Sequence, residues 1–141
     1  MPPVPAAQAA VSAYDRSVVL AKTFLEQRPN DPMLMTVLAD VHFRWGRFKD
    51  AIAQYEQVLR VKKDLPEPLL AIAEAYSQLE EYPHAVEHYK RAAESGAPQT
   101  AFRAKQGLAN VYFKMGRYSD AASEYRELRQ ALGDQPELIY L

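Results

Sequence analysis

Apolar side chains recur along the chain at intervals of three and four. Leu38, Val41, His42 and Trp45 stand at i, i+3, i+4 and i+7, and Phe48, Ala51, Ile52, Tyr55, Val58 and Leu59 form a second stripe of the same kind. That spacing puts each set on one face of an α-helix. Gly46 falls between the stripes, where a left-handed residue closes a helix at least cost. The pattern predicts two helices joined by a tight turn. Pro29, Pro32, Pro66, Pro68, Pro98 and Pro136 fall where a first helical turn or a linker belongs. The strict alternation of a half-buried strand is absent.

The same arrangement is written three times. RWGRFKDAIAQYEQ (44–57), QLEEYPHAVEHYKR (78–91) and KMGRYSDAASEYRE (114–127) align with steps of 34 and 36 residues. Gly46, Glu80 and Gly116 hold the turn. Ala51, Ala85 and Ala121 follow, then Tyr55, Tyr89 and Tyr125. Upstream, Leu38, Ile72 and Leu108 align, beside Ala39, Ala73 and Ala109, with His42, Tyr76 and Tyr112 three residues on. Two antiparallel helices pack closely only where one offers a gap, which the alanines supply. The tyrosines at 55, 89 and 125 are expected to fill the space toward neighbouring units. The two extra residues of the longer step are expected in a linker near Gln99–Ala101.

The repeat resembles the tetratricopeptide repeat family, whose unit is a 34-residue helix–turn–helix. Ala39, Tyr76, Gly46, Ala51 and Pro29 match its small, Tyr, Gly, Ala and Pro positions. Glu80 in place of the turn glycine, Lys63 in place of a terminal proline and His42 in place of the usual Tyr depart from it. The resemblance implies an all-α fold, a right-handed superhelical solenoid of antiparallel helix pairs. It divides the chain into full units at 32–65, 66–99 and 102–135. A half unit (second helix) falls at 14–31, an N-terminal extension or helix start at 1–13, and the start of a further helix or a tail at 136–141.

Composition narrows the function. The chain has 141 residues, 48% hydrophobic, with a formal net charge of −1 and a pI near 6.3. That is enough for a real core, and it lacks the clustered basic surface that nucleic acid requires. There is no cysteine, so disulfides and thiolate metal sites are excluded. The opening MPPVPAAQAAVSAYDRSVV has no basic leader before an apolar run, so no secretory signal is expected there, and no apolar run is long enough to span a bilayer. A soluble protein is expected, cytoplasmic by default or a fragment of an envelope or secretion-system protein.

Candidate chemistry is sparse. His42 sits on a core stripe, where a packing role is expected. His84 and His88 stand at i, i+4 with Glu80 a turn earlier, a spacing that can hold a divalent metal, but their repeat positions lie on the outer, solvated face. No nucleophilic triad or phosphate-binding loop can be placed, and no enzyme activity, metal or other cofactor is expected.

The resemblance implies instead a binding face along the first helix of each unit. The positions expected to meet a protein or peptide there are Met33, Val37, Asp40, Phe43 and Arg44 in the first unit. In the second they are Glu67, Leu70 and Glu74, and in the third Arg103, Asn110, Phe113 and Lys114. Met33, Phe43, Leu70 and Phe113 are read as apolar groups without core duty. Asp40, Glu67 and Glu74 make the first two units acidic, and Arg103 and Lys114 make the third basic, which suits a ligand with apolar anchors and basic residues. Asp40 and Glu74 would repel a C-terminal carboxylate, so the two-carboxylate clamp of heat-shock co-chaperones is not expected. Val18, Val19, Leu20 and Leu25 point to an N-terminal helix apolar on more than one face. Leu138, Ile139, Tyr140 and Leu141 do not look like a polar cap, and an alternative reading is self-assembly, as a homo-oligomer, through these ends.

Overall fold

The computed structural model describes residues 5–134 of the chain. Seven helices occupy them, with no strand among the described residues: α1 (Ala6–Gln27), α2 (Pro32–Arg44), α3 (Phe48–Val61), α4 (Pro66–Gln78), α5 (Tyr82–Ala93), α6 (Pro98–Lys114) and α7 (Tyr118–Asp134). Leu138, Ile139, Tyr140 and Leu141 lie outside the described residues. The chain divides into two compact units, Met1–Lys62 and Lys63–Leu141.

In the first unit α2 and α3 form a helical hairpin, and α1 packs on α2. Asp31 caps α2: its Oδ1 accepts from the Met33 N–H at 2.9 Å, and Pro32 opens the helix where no N–H is needed. Leu38, Ala39, Ala51, Ile52, Tyr55 and Val58 are buried between the helices. In the second unit α4 pairs with α5, α6 packs on α5 and also meets α4, and α7 pairs with α6. Its core holds Leu69, Ile72, Ala73, Ala85, Ala92, Leu108, Ala109 and Val111.

Each hairpin turn is built the same way. The N–H groups of Gly46, Glu80 and Gly116 donate to the carbonyls of Phe43, Ser77 and Phe113 at 3.0 Å. Those of Arg47, Glu81 and Arg117 reach back to His42, Tyr76 and Tyr112 at 2.8, 2.9 and 2.8 Å. This pair of bonds satisfies carbonyls that the helix end leaves open, and it needs a left-handed residue in the middle. Gly46 and Gly116 take φ values of 76° and 78°, and Glu80 takes 59° despite its Cβ.

Two sequence expectations are corrected. The extra residues of the longer step do not form a linker near Gln99–Ala101. They extend α6, which begins at Pro98. Pro98 suits a first helical position, and the buried Thr100 hydroxyl donates to Glu67 at 2.8 Å, so the added turn packs on α4. The third repeat tyrosine also differs: Tyr55 and Tyr89 are buried, while Tyr125 is 43% exposed, because α7 has no further helix over it among the described residues.

Gly107, unusual inside a helix, is explained by Tyr89. A methyl built at Gly107 would overlap Cε1 and Cζ of the Tyr89 ring, so α6 rests its bare backbone on that ring. Gly107→Ala gains about 1 kcal/mol of helix propensity and loses about 1–3 kcal/mol to overpacking. A lower urea midpoint is expected, with part of the loss recovered by adding Tyr89→Leu. Glu80→Gly should stabilise by about 0.5–1 kcal/mol in the same measurement, since a left-handed Cβ costs about 1–2 kcal/mol and glycine's extra freedom returns part of it.

Candidate functional site: the outward faces of the first helices

In the first unit, Met33, Val37, Asp40 and Arg44 stand at i, i+4, i+7 and i+11 on α2 and form one exposed stripe. Met33 is 75% exposed and Val37 45%. Below them Asp40 accepts a hydrogen bond from the Tyr55 hydroxyl of α3. Phe43 does not belong with them as a free anchor. It is half-buried and meets Phe48 edge to face at 5.3 Å across the turn, so the expectation that it lacks a packing duty is corrected.

On the other side of this unit an open cleft of about 500 Å³ is bordered by Lys22, Leu25 and Glu26 of α1, Met35 and Leu38 of α2, and Gln54 and Gln57 of α3, with Pro29 at one end. No sequence signal marked it, because its polar rim is divided between α1 and α3, which are distant in sequence.

In the second unit the predicted residues partly satisfy one another. Glu67 and Glu74 lie on the same side of α4, and Arg103 of α6 reaches both, at 4.0 and 3.3 Å. Leu70 stands between them at i+3 and is only 2% exposed. It is a core residue, not an apolar anchor for a ligand. The acidic side of α4 faces α6, and Leu70 is enclosed with it. The division into acidic and basic units is thus spent here on an internal ion pair, worth little at this exposure. Burial raises the Glu74 carboxyl above its ordinary range, Arg103 offsets part of this, and Glu67 adds to it.

The remaining predicted residues lie on α6. Asn110 accepts from the Tyr125 hydroxyl at 2.6 Å, repeating the Tyr55–Asp40 bond at the same separation of 15 residues. Tyr89 stands 15 residues after Glu74 in the middle copy. Burial, reinforced by the Glu74 charge, pushes its hydroxyl up to about 12. The tyrosine hydroxyls were missed as parts of this face, although their constant spacing from an acid or amide was legible. Phe113 is 58% exposed and lies 5.2 Å, edge to face, from the exposed Tyr118. Lys114 is exposed at the end of α6.

The histidines hold structure together. Tyr14 Oη lies 2.8 Å from Nδ1 of the buried His42, tying α1 to α2, and the Tyr14 ring also meets Trp45 and Arg47. His88 Nδ1 donates to the His84 carbonyl at 2.9 Å, and both rings pack on Tyr76. Among the described residues no three His, Cys, Asp or Glu side chains converge as metal ligands, and no helix is long and apolar enough to cross a membrane. Every buried side-chain nitrogen or oxygen among them has a hydrogen-bond partner.

Repeated antiparallel helix pairs, each carrying outward residues on its first helix, define a helical-repeat interaction module. The sequence profile of the tetratricopeptide repeat matches residues 6–67 and 70–136, and the chain belongs to that family. Its fold is that of a protein-interaction scaffold. No curated protein matches the chain in sequence. Among solved structures, MamA 41-end from Desulfovibrio magneticus RS-1 superposes with a TM-score of 0.78 at 20% identity, over 90% of this chain and 71% of that one. A crystal structure of MamA gives 0.75 at 18% identity, over 96% of this chain and 77% of that one. At such identity the likeness concerns the fold.

His42 supplies a pH test. Burial lowers its pKa from the ordinary 6.5; Asp50 opposes this, while Lys22 and Arg47 favour it. A folded-state value below the unfolded one means that unfolding takes up a proton. The stability this site contributes is therefore full above pH 6.5 and declines as pH falls through that value. Urea unfolding between pH 7.5 and 5.5, about one unit either side of the free histidine value, should show a decline that His42→Gln reduces.

Proposed function

We propose that the chain is a non-enzymatic scaffold that takes a protein or peptide segment along the outward face of its first helices. The observation that carries this reading is the α2 stripe, where Met33 and Val37 stand open to solvent one helical turn apart, followed by Asp40 and Arg44. Open apolar side chains beside charged ones suit a ligand with apolar anchors and a basic residue for Asp40. Phe113 of α6 and Tyr118 of α7 offer an aromatic pair near Asn110. Within each unit, helix pairs locked by their turns present such groups at fixed spacing, which lowers the ordering cost of binding. Asp40, exposed on this stripe, also argues against acidic C-terminal tails as ligands.

Photo-crosslinking tests the reading. Benzoylphenylalanine placed at Val37 or Phe113 should give discrete protein adducts in a native lysate, and the same probe at Lys49 or Arg126, exposed on second helices, should not. Equal yields at all four positions, or no adduct at the first two, would remove the proposed face.

A further inference from the structure

In three hairpins the second helix buries one side against the first. Val58, Ala92 and Leu128 hold equivalent positions on α3, α5 and α7 and are 0%, 0% and 7% exposed. On α1 that position is Phe24, which is 49% exposed. The second helix α5 packs between α4 and α6, whereas α1 packs on α2, and among the described residues no first helix precedes it.

A second observation points the same way. The residues equivalent to Leu20 on the other second helices are Gln54, His88 and Glu124, all polar. On α1 the place is taken by leucine, 59% exposed, next to Val19 at 64%. Gln54, His88 and Glu124 are half-buried, and Ala53, Glu87 and Ser123, the equivalents of Val19, are exposed, so α1 turns larger apolar groups outward than the other second helices do. Val19 and Leu20 line a shallow groove of about 490 Å³ with Asp15, Arg16 and Thr23. It lies away from Tyr14 and Ala21, the side on which α1 meets α2. Asp15 and Arg16 bring both charge signs to its border, so apolar fit rather than net charge selects the occupant.

We propose that this face of α1 docks an amphipathic helix of a partner protein, one that carries an apolar residue followed by alanine and, three residues on, an aromatic. The complement of a second helix is visible three times in this chain: Leu38-Ala39 with His42, Ile72-Ala73 with Tyr76, and Leu108-Ala109 with Tyr112. An occupant of the open Phe24 side must present the same surface, with the alanine allowing close approach and large groups on either side filling the gaps. A second copy is a poor source, because α2, α4 and α6 are each already packed on their own second helices. This docking face is separate from the α2 stripe and does not depend on a ligand there.

A stapled, fluorescein-labelled peptide of residues 66–81 is a suitable probe. It has the required pattern, and the staple removes most of the cost of helix formation. Anisotropy against the whole chain should saturate with a Kd of about 10–100 µM. Phe24→Glu should weaken binding at least about tenfold, as a charge forced into an apolar contact does, with circular dichroism unchanged. Leu20→Gln, which copies Gln54 of α3, gives a milder loss and carries the test should Phe24→Glu lose helicity. Phe113→Glu should leave binding intact. Absence of saturable binding overturns the proposal, as does equal loss in Phe113→Glu. A monomer–dimer equilibrium in sedimentation that Phe24→Glu abolishes would give the face to a second copy and overturn it too.

Discussion

Close approach of two helices joined by a three-residue turn is the constraint from which the rest follows. It is met from both sides. Ala39, Ala73 and Ala109 on the first helices, and Ala51, Ala85 and Ala121 on the second, are at most 2% exposed and leave room for the opposite backbone. The turn then holds the two axes together through two backbone bonds around a left-handed residue. With axis separation and turn both set, other contacts recur at constant offsets. Tyrosine reaches an acid or amide 15 residues back in the first and last hairpins. An aromatic before the turn meets one after it in Phe43–Phe48 and Phe113–Tyr118.

The middle copy breaks several of these regularities, and the breaks are connected. Its turn residue is Glu80, Ser77 stands where the other copies have Phe43 and Phe113, and Tyr89 lies against the Gly107 backbone. Glu74 turns instead to Arg103 of α6. The longer α6 adds Thr100 to the same contact by its bond to Glu67. An interface between successive hairpins within the second unit thus recruits Glu67 and Glu74, whose equivalents Met33 and Asp40 are exposed in the first unit.

The helices, their turns and the small-residue positions were legible because they depend on local sequence: a 3.6-residue period, a glycine at a left-handed cap, a proline at a first turn. The conformation of Glu80 was legible only through its alignment with Gly46 and Gly116. What periodicity could not supply was the identity of the neighbour on each face. Leu70 occupies the repeat position of an outward residue, yet it is buried on the side of α4 where Glu67 and Glu74 meet Arg103 of α6. Phe43 looked free for the same reason: its partner Phe48 lies across a turn, outside any i, i+3 or i+4 relation. Tyr125 repeats Tyr55 and Tyr89 in sequence, but its exposure is decided by the absence of a further described helix.

Perturbed ionisation is a common pointer to catalysis, and in this chain packing accounts for it. Tyr89 is shifted upward chiefly because its ring is buried against Gly107, with the Glu74 charge adding to the effect. Glu74 is shifted by burial at the α4–α6 contact, and His42 by burial beside Tyr14. The Ser17, Thr23 and Thr36 hydroxyls donate to carbonyls four residues back on their own helices, at 2.8 to 2.9 Å, and so serve their helices. Tyr89, Glu74 and His42 thus lie in helix contacts, while Met33, Val37 and Phe113 turn outward. That distribution suits a surface that meets a partner by shape and position.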